Sequence, residues 1–282
     1  MDNSLVNIDD INDINDIKLY DKVHESTNSK IYKGLYKDRK ILCKLLEKKA
    51  TEKISIKNEI DIVLMLEKHP NIIDVLYTIE YKDSYMIVMD YSGRHNLSTH
   101  PKSECFDINT RYNISCKIME GLEYLHTNLI AHLDIKPQNI VIDERLNPRI
   151  CDFGFSIKAE SKFFECSLRK GTPLYVAPEI VMSQYGNPFY ADIYSLGILL
   201  WQIYAREVPY KEIKCESDRD IEDFLYEVCF FNKRPDIKKV PKILSDIITS
   251  AWDLEPSKRP SIKKIKILFD LARLDILSLK NN

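Results

Sequence analysis

The sequence is sparing with glycine: it holds 7 in 282 residues, well under the ~7% of ordinary usage. Such a chain has few positions where backbone can turn left-handed or press closely against a ligand. It has no basic excess either. A net charge of −2 and a pI near 6.3 exclude nucleic acid as the main partner, since nothing is available to neutralise phosphates. Its 7 cysteines include no C-x-x-C pair, and their odd number and irregular spacing fit a reducing compartment better than a disulfide framework. The longest apolar run, Ile193 to Ala205, is broken by Ser195 and Gln202 and is too short to span a bilayer. The acidic start is no signal peptide, and Met1-Asp2 excludes myristoylation. A cytoplasmic (or nuclear) protein with no membrane partner is expected. What is present is ordinary globular material, 44% hydrophobic and 30% charged. The abundance of Ile, Asn, Lys and Asp suggests an AT-rich genome, that of a large DNA virus or a protist; for a virus the compartment would be the host cytoplasm.

The stretch His132-Leu133-Asp134-Ile135-Lys136-Pro137-Gln138-Asn139 sets a His, an Asp, a Lys and an Asn amid apolar sequence. Such a cluster is costly to bury unless its members have partners. Phosphoryl transfer asks for these residue types: a loop-shaping residue, an Asp for the hydroxyl proton, a Lys against phosphate charge and an Asn for a metal ion. Asp152-Phe153-Gly154, the second metal-holding motif, begins 13 residues after Asn139. With this pair of motifs the chain resembles the eukaryotic protein kinase superfamily.

The resemblance implies an α+β, bilobal fold, with a small mainly antiparallel β lobe carrying one main helix and a larger helical lobe. Residues 1–18 then form an amino-terminal arm, 19–91 the first lobe and hinge, and 92–277 the second lobe. In the arm, Ile8, Ile11, Ile14 and Ile17 recur at every third position, as in a low-complexity leader or a docking segment. Alternation predicts strands at Lys18–Val23, Lys30–Tyr36 and Lys40–Leu46. Apolar spacing predicts helices over Lys53–Glu67 and Asn109–Thr127, a further one starting at Asp192, and a last one from Ser261 to about Leu277, with no tail beyond it. Trp201 and Trp252 read as core.

Residue by residue, the resemblance implies that Lys44, oriented by Glu59, contacts ATP phosphates. Asp134 accepts the substrate proton, Lys136 contacts the transferred phosphate, and Asn139 and Asp152 hold Mg²⁺. Val23, Ile31, Leu42 and Val141 would enclose the adenine, Met89 would guard the back pocket, and the backbone of Asp90 and Tyr91 would bind the adenine edge. Glu179 should pair with Arg259, and Asp192 should brace the catalytic loop through backbone N–H groups. Cys151 is a reactive thiol of the nucleotide pocket or a small buried hydrophobe.

Three departures stand out. His24, Ser26 and Ser29 occupy the positions of the family's loop glycines, Leu42 replaces a smaller residue against adenine, and Leu133 replaces an Arg that pairs with a phosphorylated activation segment. With Leu133, phosphorylation of Ser161, Ser167 or Thr172 need not act through that route. Lys136 and Thr172 resemble Ser/Thr kinases, and His-Leu-Asp with Asp192-Ile193-Tyr194-Ser195 and Pro209-Tyr210 looks most like the Mos branch. A protein substrate with a Ser/Thr acceptor and a MAP kinase cascade partner are implied. The alternative is a nucleotide-impaired pseudokinase that sequesters a host or cellular signalling partner. Another phosphotransferase on the same fold is disfavoured by Ala177-Pro178-Glu179, which suits a protein substrate.

Overall fold

The computed structural model describes residues 6–7, 17–25, 29–47, 53–80, 84–93, 95–100, 105–160, 164–165, 171–182, 185–213 and 217–279. Ile8, Ile11, Ile14, Ser26, Ser161 and Ser167 lie outside the described residues.

The amino-terminal part is a twisted antiparallel sheet of five strands: β1 (Ile17–Glu25), β2 (Ser29–Tyr36), β3 (Arg39–Glu47), β4 (Val75–Glu80) and β5 (Ser84–Asp90). Their spatial order is β4-β5-β3-β2-β1, and Val6–Asn7 adds a short parallel pairing outside β4. Period-two alternation explains β3. Ile41 and Cys43 turn to one face and join Ile79, Met86 and Val88 in a small core. Leu42, Lys44 and Leu46 turn to the other face, with Lys44 opposite Ile31 and Ile87, and Leu42 opposite Met89. One residue of slip would exchange the two sets, so burial of the first fixes the direction of Lys44.

Helix α1 (Lys53–Met65) packs on that second face through buried Ile56, Ile60 and Val63; it ends two residues before the predicted Glu67. The larger part is helical: α2 (Ile108–Thr127), α3 (Pro178–Met182), α4 (Pro188–Ala205), α5 (Asp218–Phe230), α6 (Lys242–Ala251), α7 (Ile262–Leu271) and α8 (Arg273–Ser278). Between α2 and α3 lie several short strands, among them the paired β6 (Ile140–Ile142) and β7 (Pro148–Ile150). The architecture is the expected α+β one.

Helix α4 is the spine of the larger part. It is apolar around its whole circumference and is therefore buried rather than amphipathic. It starts at Pro188, four residues before the predicted start at Asp192. Asn187 caps it by accepting from Phe189 N–H, and Pro188 has no amide hydrogen to orphan. Trp201 and Trp252 are both buried core residues, and Trp201 donates its indole N–H to Asp236 O at 2.9 Å. The last predicted helix is two: Ala272 separates α7 from α8 while the apolar spacing runs on through Ile276. The main core runs unbroken from α1 through α2 and α4 to α7, so the floor and the back wall of the cleft rest on one packed body.

Candidate active site

The segment between α2 and β6 is held from below by one carboxylate. Asp192, fully buried on α4, accepts His132 N–H at 2.8 Å on Oδ2 and Leu133 N–H at 2.7 Å on Oδ1. His126 Nε2 lies 3.0 Å from Oδ2 and supplies a third partner. Two backbone donors in the interior are thereby satisfied, and Leu133 is held at φ +62°, a left-handed conformation that a branched residue adopts only under constraint. His132 is buried with both ring nitrogens engaged. Nδ1 accepts from Asp134 N–H at 3.2 Å, and Nε2 donates to Cys151 O at 3.1 Å. That second bond ties this segment to the residue that precedes Asp152. Ser156 adds another tie by donating its hydroxyl to His132 O at 3.1 Å, and Asn58 of α1 donates to Ser156 O at 2.6 Å.

Above this clamp the polar side chains converge. Lys136 Nζ is 2.7 Å from Asp134 Oδ2 and donates to Thr172 Oγ1 at 2.6 Å, while the Thr172 hydroxyl donates to Asp134 Oδ1 at 3.0 Å. Asn139 donates its amide to Asp134 Oδ2 at 2.8 Å and to Asp134 O at 2.9 Å. With its nitrogen so committed, Asn139 has only its amide oxygen left to offer a cation.

The opposite wall is an ion triad. Lys44 Nζ lies 2.7 Å from Glu59 Oε1 and 2.7 Å from Asp152 Oδ1. Burial opposes the ammonium charge, but the two carboxylates outweigh it and hold the Lys44 pKa above its ordinary value. Burial also works against the Asp152 carboxylate, yet the Lys44 charge beside it brings its pKa below the usual value. Asp152 sits at φ +66° and its side chain is 47% exposed, open to the cleft. Mg²⁺ commonly takes one or two protein oxygens and fills its shell with water and phosphate. Asp152 with the Asn139 oxygen matches that habit. Among the described residues no cluster of three or more His, Cys, Asp or Glu suited to a metal ion occurs.

The remaining sequence-predicted residues occupy the walls. Ile31 and Leu42 are half-buried on the sheet face that carries Lys44; Val141 is the half-exposed residue of β6 between buried Ile140 and Ile142. Val23 is 51% exposed beside a bulge in β1. Met89 is partly buried against the main core. Asp90 N–H donates to Asp74 O at 2.9 Å and Tyr91 N–H to Lys40 O at 3.3 Å, so neither amide is free to recognise an adenine edge. The next residue, Ser92, is buried, and its hydroxyl has no hydrogen-bond partner.

His24 and Ser29 stand in paired strand without positive φ, opposite Ile31 and Leu46 respectively, His24 directly after the bulge. Neither place requires glycine's left-handed freedom. Glycine is needed at Gly93, where φ is +139° and a Cβ would lie 2.3 Å from Ile142 O. Cys151 is partly buried against the main core, and burial pushes its thiol up to about 12, which disfavours the thiolate.

Below the site, Arg259 donates from Nη1 and Nη2 to the two oxygens of Glu179 at 2.6 and 2.8 Å, from Nε to Asp253 O and again from Nη1 to Tyr190 O. This fork-to-fork pair is buried and anchors the segment that carries Thr172.

The protein kinase domain profile matches residues 19–267. The chain belongs to the protein kinase domain family. Relatives of this kinase domain include the dual specificity protein kinase shkC of Dictyostelium discoideum, 32% identical over 87% of this chain and 49% of its own length. A second, the dual specificity protein kinase shkD of the same organism, is 33% identical over 86% of the chain and 33% of its own length. The serine/threonine/tyrosine-protein kinase HT1 of Arabidopsis thaliana is 27% identical over 90% of the chain and 65% of its own length. The chain thus spans half or less of the Dictyostelium relatives. No described helix of this kinase domain is long and apolar enough to cross a membrane.

Proposed function

We propose that this kinase domain is a serine/threonine protein kinase that transfers the ATP γ-phosphate to a protein hydroxyl. The observation that carries the reading is the convergence of Asp134, Lys136, Asn139 and Thr172 on one side of a cleft, with Lys44 and Asp152 paired on the other. Bound Mg-ATP would supply the phosphoryl group, its leaving group and the cation's charge. Asn139, through its oxygen, and Asp152 would hold the cation, and Lys44, aimed by Glu59, the phosphates. The backbone of Ser92 would take the adenine-facing donor role that Asp90 and Tyr91 cannot fill. Asp134 would accept the proton of the incoming hydroxyl, while Lys136 neutralises charge gathering on the transferred group.

Lys136–Thr172 supports serine or threonine as acceptor, because Thr172 already presents a β-hydroxyl to Asp134 at 3.0 Å. The buried Leu133 supports constitutive loop geometry, since Asp192, rather than an arginine–phosphate pair, fixes that segment. A Mos-like place upstream of a MAP kinase is the narrower form of this proposal, resting on the His132-Leu133-Asp134 sequence. The pseudokinase reading drew on His24, Ser26, Ser29 and Leu42. His24 and Ser29 in unstrained strand weaken that motive.

The test is transfer of radiolabelled phosphate to a mixed protein substrate, with phosphoamino-acid analysis. Asp134→Asn should lower the rate by about 10²–10⁴, the usual worth of a positioned general base, while the melting temperature is retained. Equal labelling by both proteins would overturn the proposal, and phosphotyrosine as the main product would overturn the serine/threonine part.

A further inference from the structure

Helix α5 keeps one face in the core and leaves an aromatic cluster on the other. Phe224, Val228 and Cys229 are buried, and Phe224 and Val228 pack with Tyr210 and Leu174, a residue of the segment that begins at Gly171. On the outer side Tyr226, Phe230 and Phe231 are 55, 62 and 72% exposed. Their rings nonetheless gather: Tyr226 lies 4.7 Å from Phe230 and 5.8 Å from Phe231, centroid to centroid. Single exposed apolar residues are ordinary; three aromatic rings gathered around Tyr226 at the carboxyl end of the helix, with Phe231 its capping residue, mark a surface meant to be covered.

The rim states what covers it. Helical spacing sets Glu222, Asp223, Tyr226, Glu227 and Phe230 along one stripe. All five are exposed, and Glu227 is occupied by Lys233. Asp218 and Asp220 suit the amino end of the helix, where the macrodipole favours them and Asp220 completes a capping box with Ser217. Glu222 and Asp223 lie beyond that first turn, so capping does not account for them. Two carboxylates beside three aromatic rings complement a segment that alternates Lys or Arg with apolar side chains. Arginine also stacks on aromatic faces.

We propose that this face docks a basic, apolar-containing segment of the protein substrate, away from the phosphoacceptor residue. That the bound protein is a substrate rests on the phosphotransfer reading above; that the face binds such a segment does not. The placement gives the docking a purpose. The buried side of α5 touches Leu174, and Cys229 Sγ contacts Pro178 O at 3.8 Å, so a segment held on the outer side keeps its protein beside Thr172 and Asp134. Tethering of that kind raises the local concentration of acceptor without any new contact at the site of chemistry.

The experiment uses fluorescence anisotropy on the whole chain with a fluorescein-labelled peptide of repeated Arg-Leu-Lys-Phe and a matched one of repeated Glu-Leu-Asp-Phe. The basic peptide should bind and the acidic one should not. Phe230→Ser with Phe231→Ser should weaken binding about tenfold or more while the melting temperature holds, as expected of aromatic anchors. Glu222→Lys with Asp223→Lys should shift preference to the acidic peptide. In kinase assays these variants should phosphorylate a short acceptor peptide normally but lose the lower KM of the same acceptor fused to the basic segment. Indifference of the anisotropy to charge or to the aromatic variants would overturn the docking proposal. So would a dimer in sedimentation that the aromatic variants dissolve, since a second copy would then own the face. Selective binding without any phosphate transfer would sink the phosphotransfer reading and leave the docking standing.

Discussion

The roof and the floor of this cleft are held by different means. In β1, eight of nine residues are exposed, and its ion pairs, Lys22–Glu25 within the strand and Lys30–Glu25 at 4.0 Å across to β2, lie at the surface. Exposed pairs of that kind contribute little and are screened by salt. In the floor, His132, Leu133, Asp134, Ile135 and Asn139 are buried, and each backbone turn is fixed by a partner from another element, Asp192 above all. Regions with few buried contacts open locally at low cost, whereas over-determined ones open only with the whole fold. The proposed site of chemistry therefore rests on the more firmly held part, and the proposed nucleotide cover on the part with fewer buried contacts.

The comparison breaks most readily at Arg259. Arg259→Leu leaves the Glu179 carboxylate without its partner and should cost about 3–5 kcal/mol in urea unfolding; a loss under about 1 kcal/mol would mean that the floor is held elsewhere. Lys44→Met tests the wall between roof and floor through pH. In the wild type, the raised Lys44 contributes stability that is present below its unfolded pKa and lost only as pH rises through the higher folded one. The depressed Asp152 contributes stability present above its unfolded pKa and lost as pH falls through the folded one. Without the lysine, Glu59 and Asp152 face each other unpaired and favour protonation. The deficit of Lys44→Met should thus shrink by about 1 kcal/mol or more between pH 8 and pH 5, and a deficit independent of pH would refute the triad. Gly93→Ala probes the joint where the hinge meets β6. The clash with Ile142 O and the disallowed φ should cost about 2 kcal/mol or more, read as a lowered melting temperature. The smallest effect belongs to the roof itself. His24→Gly and Ser29→Gly should each lose about 0.5–1 kcal/mol, as glycine does within a strand, with little change in kcat/KM for ATP. A gain of about tenfold would show that the roof was the limiting part after all.

Much of the floor could be read from sequence because its residues are few in type and fixed in spacing. Lys44 flanked by apolar residues in a strand needs a buried counter-charge, and Glu59 on the next helix was the available one. Asn187-Pro188 was a legible helix start as well, a cap followed by a residue without N–H, yet the apolar run from Ile193 drew attention away from it. The break at Ala272 carries no glycine or proline and is imposed by packing of α7 and α8 on the core. His126, Asn58 and Ser156 left no pattern, since each acts through a single hydrogen bond to an element distant in sequence. The hinge left little to read because backbone recognition has no side-chain signature, and the commitment of Asp90 and Tyr91 N–H appears only once Asp74 and the start of β3 lie alongside.

The clamp on the catalytic segment has a consequence for the order in which this chain matures during synthesis. His132 and Leu133 are translated about 60 residues before the Asp192 that fixes them, and Glu179 waits 80 residues for Arg259. The sheet and α1 are complete long before either event, and chains generally fold from the amino end as they emerge. A nascent chain can therefore build the ATP roof and its Lys44–Glu59 wall early. The segment from His132 to Asn139 has no clamp until α4 is out, and the segment that carries Thr172 has no anchor until Arg259 has left the ribosome.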